Sequence, residues 1–147
     1  MREILFRGKR KDNGEWVYGG ILQTDNWSEI SVVIDYYGSM YEPPSCEVDS
    51  YEVIPETVGQ YTGLTDKNGK KIFEGDIISI PFEKDRYPYE ENVIHYENAE
   101  VYFDTERYSW YVRHSDDDLV SLWEYDDRDI IVIGNIYDNP ELLERGQ

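Results

Sequence analysis

Cys46, His95 and His114 are the side chains best suited to ligate a transition metal. They stand far apart, with no Cys-x-x-Cys or His-x-x-x-His pair to start a zinc site. Cys46 follows Pro43-Pro44-Ser45 without a catalytic-cysteine signature. No Gly-x-Ser-x-Gly elbow, P-loop or Gly-x-Gly-x-x-Gly phosphate cradle occurs. Carboxylates are abundant, with 32 Asp and Glu. Asp66-Lys67-Asn68-Gly69 resembles a calcium loop but puts Gly at position 4 and Ile77 at position 12, where an EF-hand needs Gly at 6 and Glu at 12. Asp116-Asp117-Asp118 and Asp126-Asp127 lie near His114; a divalent cation would relieve their repulsion, but so do water and salt on an exposed loop, the preferred reading. Two carboxyls roughly 5–10 Å apart in a cleft would suit glycoside hydrolysis. With 32 acids such pairs arise by composition alone. No catalytic, cofactor or metal residue is therefore assigned, and no cofactor is expected.

The elements that must position these groups are short and β-rich. Two Asn-Gly pairs, Asn13-Gly14 and Asn68-Gly69, separate apolar runs, the strongest short signal for a hairpin because both residues tolerate positive φ. Strands are expected near 4–6, 16–18, 31–34, 50–54, 58–62, 71–73, 77–80, 93–96, 100–103, 108–113, 120–124 and 129–137. Gly19-Gly20 loosens the second of these, and Pro43-Pro44, Pro55 and Pro81 end or interrupt others. Val101, Phe103, Trp110 and Val112 alternate with polar neighbours, the period of a half-buried strand. Asn139-Pro140-Glu141 predicts one short C-terminal helix, with Asn139 as cap and Pro140 in the first turn. The expected fold is all-β: many short antiparallel strands in a barrel-like or sandwich arrangement, plus that helix. It forms a single domain over 1–147 built from two closely joined subdomains, a small sheet (1–56) and a barrel-like unit (57–147).

Three segments resemble a known family. They are Met1-Arg2-Glu3-Ile4-Leu5-Phe6-Arg7-Gly8-Lys9 with Asn13-Gly14-Glu15-Trp16-Val17-Tyr18-Gly19, then Val58-Gly59-Gln60-Tyr61-Thr62-Gly63 running to Lys71-Ile72-Phe73-Glu74-Gly75-Asp76-Ile77-Ile78, then Val132-Ile133-Gly134-Asn135-Ile136-Tyr137-Asp138-Asn139-Pro140-Glu141-Leu142-Leu143. In this order and spacing they resemble the YopX protein family of phages and prophages. The resemblance implies a phage-encoded protein of the bacterial cytoplasm. It implies no activity and no site residues. The middle segment has two readings. It is hairpin scaffolding, with glycines where φ is positive or backbones approach closely. Alternatively Gln60, Tyr61, Thr62, Glu74 and Asp76 line one groove.

The formal charge of −18 excludes generic phosphate-backbone binding and attraction to anionic membranes. Residues 1–82 carry 8 basic and 14 acidic side chains, and residues 83–147 carry 6 and 18, so the second half holds most of the excess. Arg2, Arg7, Lys9, Arg10 and Lys11 form a basic strip at the other end. One cysteine suits a reducing compartment, the first residues lack the apolar core of a signal peptide, and no apolar run is long enough to span a bilayer. With 22 aromatics, most on strands, Trp16, Tyr18, Tyr61, Phe73, Tyr102, Trp110, Tyr111 and Trp123 are expected in the core or in cross-strand pairs. The candidate interaction surface is Tyr61, Glu74, Asp76, Tyr87, Tyr89, Asp116, Asp117 and Asp118. The expected role is a non-catalytic accessory protein that contacts an unidentified host or phage protein, with no direct nucleic-acid partner. Rival roles are an acidic nucleic-acid mimic and a small hydrolase with paired carboxylates. Exposed strand edges and opposite charge poles also allow a homo-oligomer.

Overall fold

The computed structural model describes residues 3–23, 30–37, 47–82, 95–113, 119–125 and 129–144. Among these residues it contains eleven strands: β1 (Phe6–Lys9), β2 (Trp16–Gln23), β3 (Ile30–Tyr37), β4 (Glu47–Val53), β5 (Gly59–Thr65), β6 (Lys71–Phe73), β7 (Asp76–Phe82), β8 (His95–Asp104), β9 (Ser109–Arg113), β10 (Leu119–Ser121) and β11 (Ile131–Asn135). Three 3-10 turns, Pro55–Thr57, Leu122–Glu124 and Pro140–Leu143, complete the described elements. The protein is all-β and antiparallel. The chain divides into two compact units, Met1–Tyr61 and Thr62–Gln147, and the division falls inside β5.

In the first unit the strands run in the order β4-β3-β2-β1-β5. The β1–β2 hairpin closes between Arg10 and Glu15, whose backbones bond at 2.9 Å, and only Gly14 of the Asn-Gly pair takes positive φ. Gly19-Gly20 is where β2 changes partner: Gly19 pairs with Phe6 of β1, and Gly20 with Val33 of β3. A strand that leaves one ladder for the next must bend, and paired glycines let it. The end of β4 then returns to β1. Val53 bridges Arg10, Lys11 N donates to Glu52 O at 3.1 Å, and Ile54 N donates to Lys9 O at 2.8 Å. The four strands so form a closed ring of bonded neighbours. Thr57 locks the closure by accepting from Lys9 N and donating its hydroxyl to Ile54 O. Val32 and Val53, both fully buried, fill the ring, and Gly8 faces Val53 with no room for a side chain.

The second unit carries the sheet β10-β9-β8-β7-β11, together with the hairpin of the later β5 residues and β6. Alternate residues point inward: Ile78 and Ile80 on β7, Ala99 and Val101 on β8, Trp110 and Val112 on β9. The register places Ile78 against Ala99 and Val101 against Val112, so the apolar positions stack across strands. Ile72, Leu122 and Ile130 join the same core. One long β8 replaces the two strands expected at 93–96 and 100–103. The expected strand at 120–124 ends at Ser121, where the chain turns Leu122 inward and Trp123 outward.

The C-terminal helix is not formed. Residues 140–143 make a single 3-10 turn, because Asn139 does not cap it. Its side-chain oxygen instead accepts from Asn135 N at 3.3 Å, closing the turn that follows β11. The Asn98 side chain takes up Leu142 O at 2.9 Å, which fixes the turn on the face of β8 opposite the core.

Gly8→Ala would set a Cβ 2.8 Å from a Val53 methyl and 2.9 Å from its Cβ, whereas a Cβ on Gly20 meets nothing within 4 Å. Gly8→Ala is expected to lower unfolding stability by about 1–3 kcal/mol. Gly20→Ala should stay within about 0.5 kcal/mol of the parent. Urea midpoints measure both, and equal midpoints would contradict the ring closure.

Candidate functional site

Of the sequence candidates, Tyr87, Tyr89, Asp116, Asp117 and Asp118 lie outside the described residues. Tyr61 and Asp76 are buried and Glu74 is half-buried. Glu74 and Asp76 share the turn between β6 and β7, where the Asp76 carboxylate accepts from Phe73 N at 2.7 Å. Gly75 sits in that turn at φ +89°, with the Tyr137 ring against its α-carbon. Gly75 N donates to Val101 O, and Gly75 O accepts from Ile136 N.

Two further aspartates behave like Asp76, and the sequence did not single them out for this. Asp66 opens the β5–β6 turn. One carboxylate oxygen accepts from Asn68 N and Lys70 N, each at 2.9 Å, and the other accepts from Val132 N of β11 at 3.0 Å. Lys67 N donates to Ile130 O beside it. Burial pushes the Asp66 carboxyl up, but the amides of Val132, Lys70 and Asn68 outweigh it and hold the group below the ordinary carboxylate value. Asp104 opens the β8–β9 turn, accepting from Glu106 N and Arg107 N on one oxygen and from the Arg107 guanidinium on the other. Burial opposes ionisation there too, and the Arg107 and Glu106 amides and the guanidinium overcome it. These carboxylates brace turns. A general acid needs the opposite environment, one that favours the protonated form.

Of the basic strip, Arg2 lies outside the described residues, and the other four are engaged locally in the first unit. The Arg7 guanidinium lies 4.6 Å and Lys9 Nζ 5.7 Å from the Trp16 ring centre, and Arg10 lies 3.9 Å over Tyr51. Arg10 also pairs with Asp12 at 2.6 Å, and Lys11 with Glu52 at 2.8 Å.

Several aromatic side chains of the second unit lie half-buried on its sheet or exposed among the polar surface residues. Tyr102 and Tyr111 pair across β8 and β9 with ring centres 6.4 Å apart, and the Arg113 guanidinium lies 4.2 Å over Tyr102. Tyr96 is 59%, Trp123 63% and Tyr108 82% exposed. Tyr61, Phe73 and Trp110 are buried as expected, but Trp123 is neither on a strand nor in the core. Only the break after Ser121, whose hydroxyl accepts from Trp123 N, decides that. Alternation could have placed Tyr102 and Tyr111 on one face. Nothing local marks Tyr108, which takes φ +53° at the end of its turn.

The match to known proteins covers nearly the whole chain. A family model described as YopX protein matches residues 5–144. Among solved structures, the chain is similar to that reported as "Crystal structure of protein EF1440 from Enterococcus faecalis", with 29% identity and a TM-score of 0.62 over 98% of this chain and 100% of that one. No curated protein matches it.

The Asp66 contacts predict an acid-sensitive brace. Its folded value is depressed, so its contribution is full above the unfolded carboxylate value of about 3.9 and is lost as pH falls through the folded one. Asp66→Asn should cost about 1–3 kcal/mol at pH 7, since its amide nitrogen would face a backbone N–H where a carboxylate oxygen now accepts. Stability measured by urea unfolding between pH 7 and 3 should fall less steeply for the variant than for the parent. Parallel curves would show that Asp66 is not the linked group.

Proposed function

The chain belongs to the YopX family, and we propose that it is a non-catalytic phage or prophage accessory protein acting through protein–protein contacts in the bacterial cytoplasm. The observation that carries this reading is the display of large aromatic side chains in the second unit, where Tyr96, Tyr108 and Trp123 each keep more than half of their surface in water. Tyrosine, tryptophan and arginine dominate the energetics of protein interfaces, and the two aromatics offer large contact areas for little lost side-chain freedom. The buried acids support it from the other side. Asp66, Asp76 and Asp104 hold backbone amides, so their chemistry is structural. No helix among the described residues is long and apolar enough to cross a membrane. The family resemblance supports the phage origin in this reading, and the single cysteine supports a reducing setting.

The full chain, used as bait in a bacterial lysate, should retain a partner that an acidic control of matched net charge does not. Trp123→Ala should weaken that complex at least ~10-fold. Its melting temperature should stay within about 2 °C of the parent, because the ring is exposed. A bait that retains nothing above the control would overturn the proposal.

A further inference from the structure

The β8–β9 hairpin ends in a rigid tip. Asp104 and Ser109 are paired, and residues 105–108 form the loop between them. Asp104 fixes that loop from below through the amides of Glu106 and Arg107 and through the Arg107 guanidinium. The same guanidinium lies 5.8 Å from the Tyr111 ring centre, so Arg107 is folded back onto the sheet. Tyr108, at the last loop position, has φ +53°, and no other non-glycine residue among those described has positive φ. Glycine adopts this conformation without steric cost, and asparagine or aspartate tolerates it, but a bulky side chain does not sit there freely. Its ring is also 82% exposed and makes no hydrogen bond or ring contact among the described residues. A residue that strains the backbone and contributes nothing to the core needs another reason for its place.

We propose that Tyr108 is the anchor of this tip, inserting its ring into an apolar slot of a partner protein whose rim is cationic. The inference rests on the protein-contact function proposed above and names its anchor. The slot is required by the ring, which stands proud on a loop already held in one conformation, so little order is lost on docking. The cationic rim follows from charge. Arg107 is neutralised by Asp104, which leaves the exposed Glu106 as the net charge of the tip, and residues 83–147 carry 18 acidic against 6 basic side chains.

The test compares Tyr108→Gly and Tyr108→Phe in the full chain. Relief of the positive-φ strain should raise the melting temperature of Tyr108→Gly by about 2–4 °C, while Tyr108→Phe melts with the parent. Against the partner retained in the lysate experiment, Tyr108→Gly should bind at least ~30-fold more weakly. Tyr108→Phe should bind within ~5-fold of the parent, and raising NaCl from about 0.05 to 0.5 M should weaken the parent complex. A Tyr108→Gly variant that melts at or below the parent would show that native contacts hold the ring, and the inference falls. A Tyr108→Gly variant that binds as tightly as the parent overturns the anchor but leaves the protein-contact function standing. Salt-independent binding overturns the cationic rim. A parent chain that retains no partner overturns the function itself.

Discussion

The carboxylate of Asp66 gathers backbone amides that no strand could satisfy. Two belong to its own turn, and the third belongs to Val132, 66 residues along the chain. That third bond, with the Lys67 N to Ile130 O bond beside it, lays the β5–β6 turn along the outer side of β11. An edge strand left open would offer its unpaired amides to another chain. Here a side chain and a turn occupy them. The segments on either side of these bonds, around residues 59–77 and 132–141, carry most of the family resemblance, and they are bonded to each other again through Gly75 and Ile136. β7 and β11 pair between the same segments, with Ile133 bulged out where the register shifts. What looks in sequence like two separate signatures is one assembly in the second unit.

The first unit meets a different constraint. It has two fully buried valines at its centre, Val32 and Val53, so it gains its order from hydrogen-bonded closure as well as from burial. Closure brings β4 over β1 so tightly that Gly8 admits no Cβ. Arg7 and Lys9 of β1 lie against Trp16, and Arg10 and Lys11 just beyond it against Tyr51, Asp12 and Glu52, which gives like charges on neighbouring residues local partners.

Function fits this division of labour. A chain of net charge −18 carries many carboxylates, and those in the described core of the second unit act as amide acceptors that shape turns. Tyr96 on β8, Trp123 on a 3-10 turn and Tyr108 at a hairpin tip are displayed in solvent, while Tyr102 and Tyr111 pair half-buried across β8 and β9. Contact surface built on fixed turns suits recognition of a partner.

Much of the fold was legible from residue order alone. Period-two alternation placed Val101, Trp110 and Val112 in the core, Asn-Gly marked two hairpins, and Pro55 ended β4. These signals are local, since a strand's two faces and a turn's torsions depend on neighbours in sequence. The candidate site was far less legible. The Asn68-Gly69 turn marks Asp66 as a local acceptor, but nothing nearby in sequence shows its bond to Val132 N, an amide that only the packed sheet brings within 3.0 Å. Asn139 looked like a helix cap, yet its oxygen found Asn135 N first, and the helix became a single 3-10 turn. An all-β, acidic, aromatic-rich chain of this family is readable from residue order. Which carboxylates became braces and which aromatic rings stayed in water was settled by packing, because burial and hydrogen-bond partnership depend on groups distant in the chain.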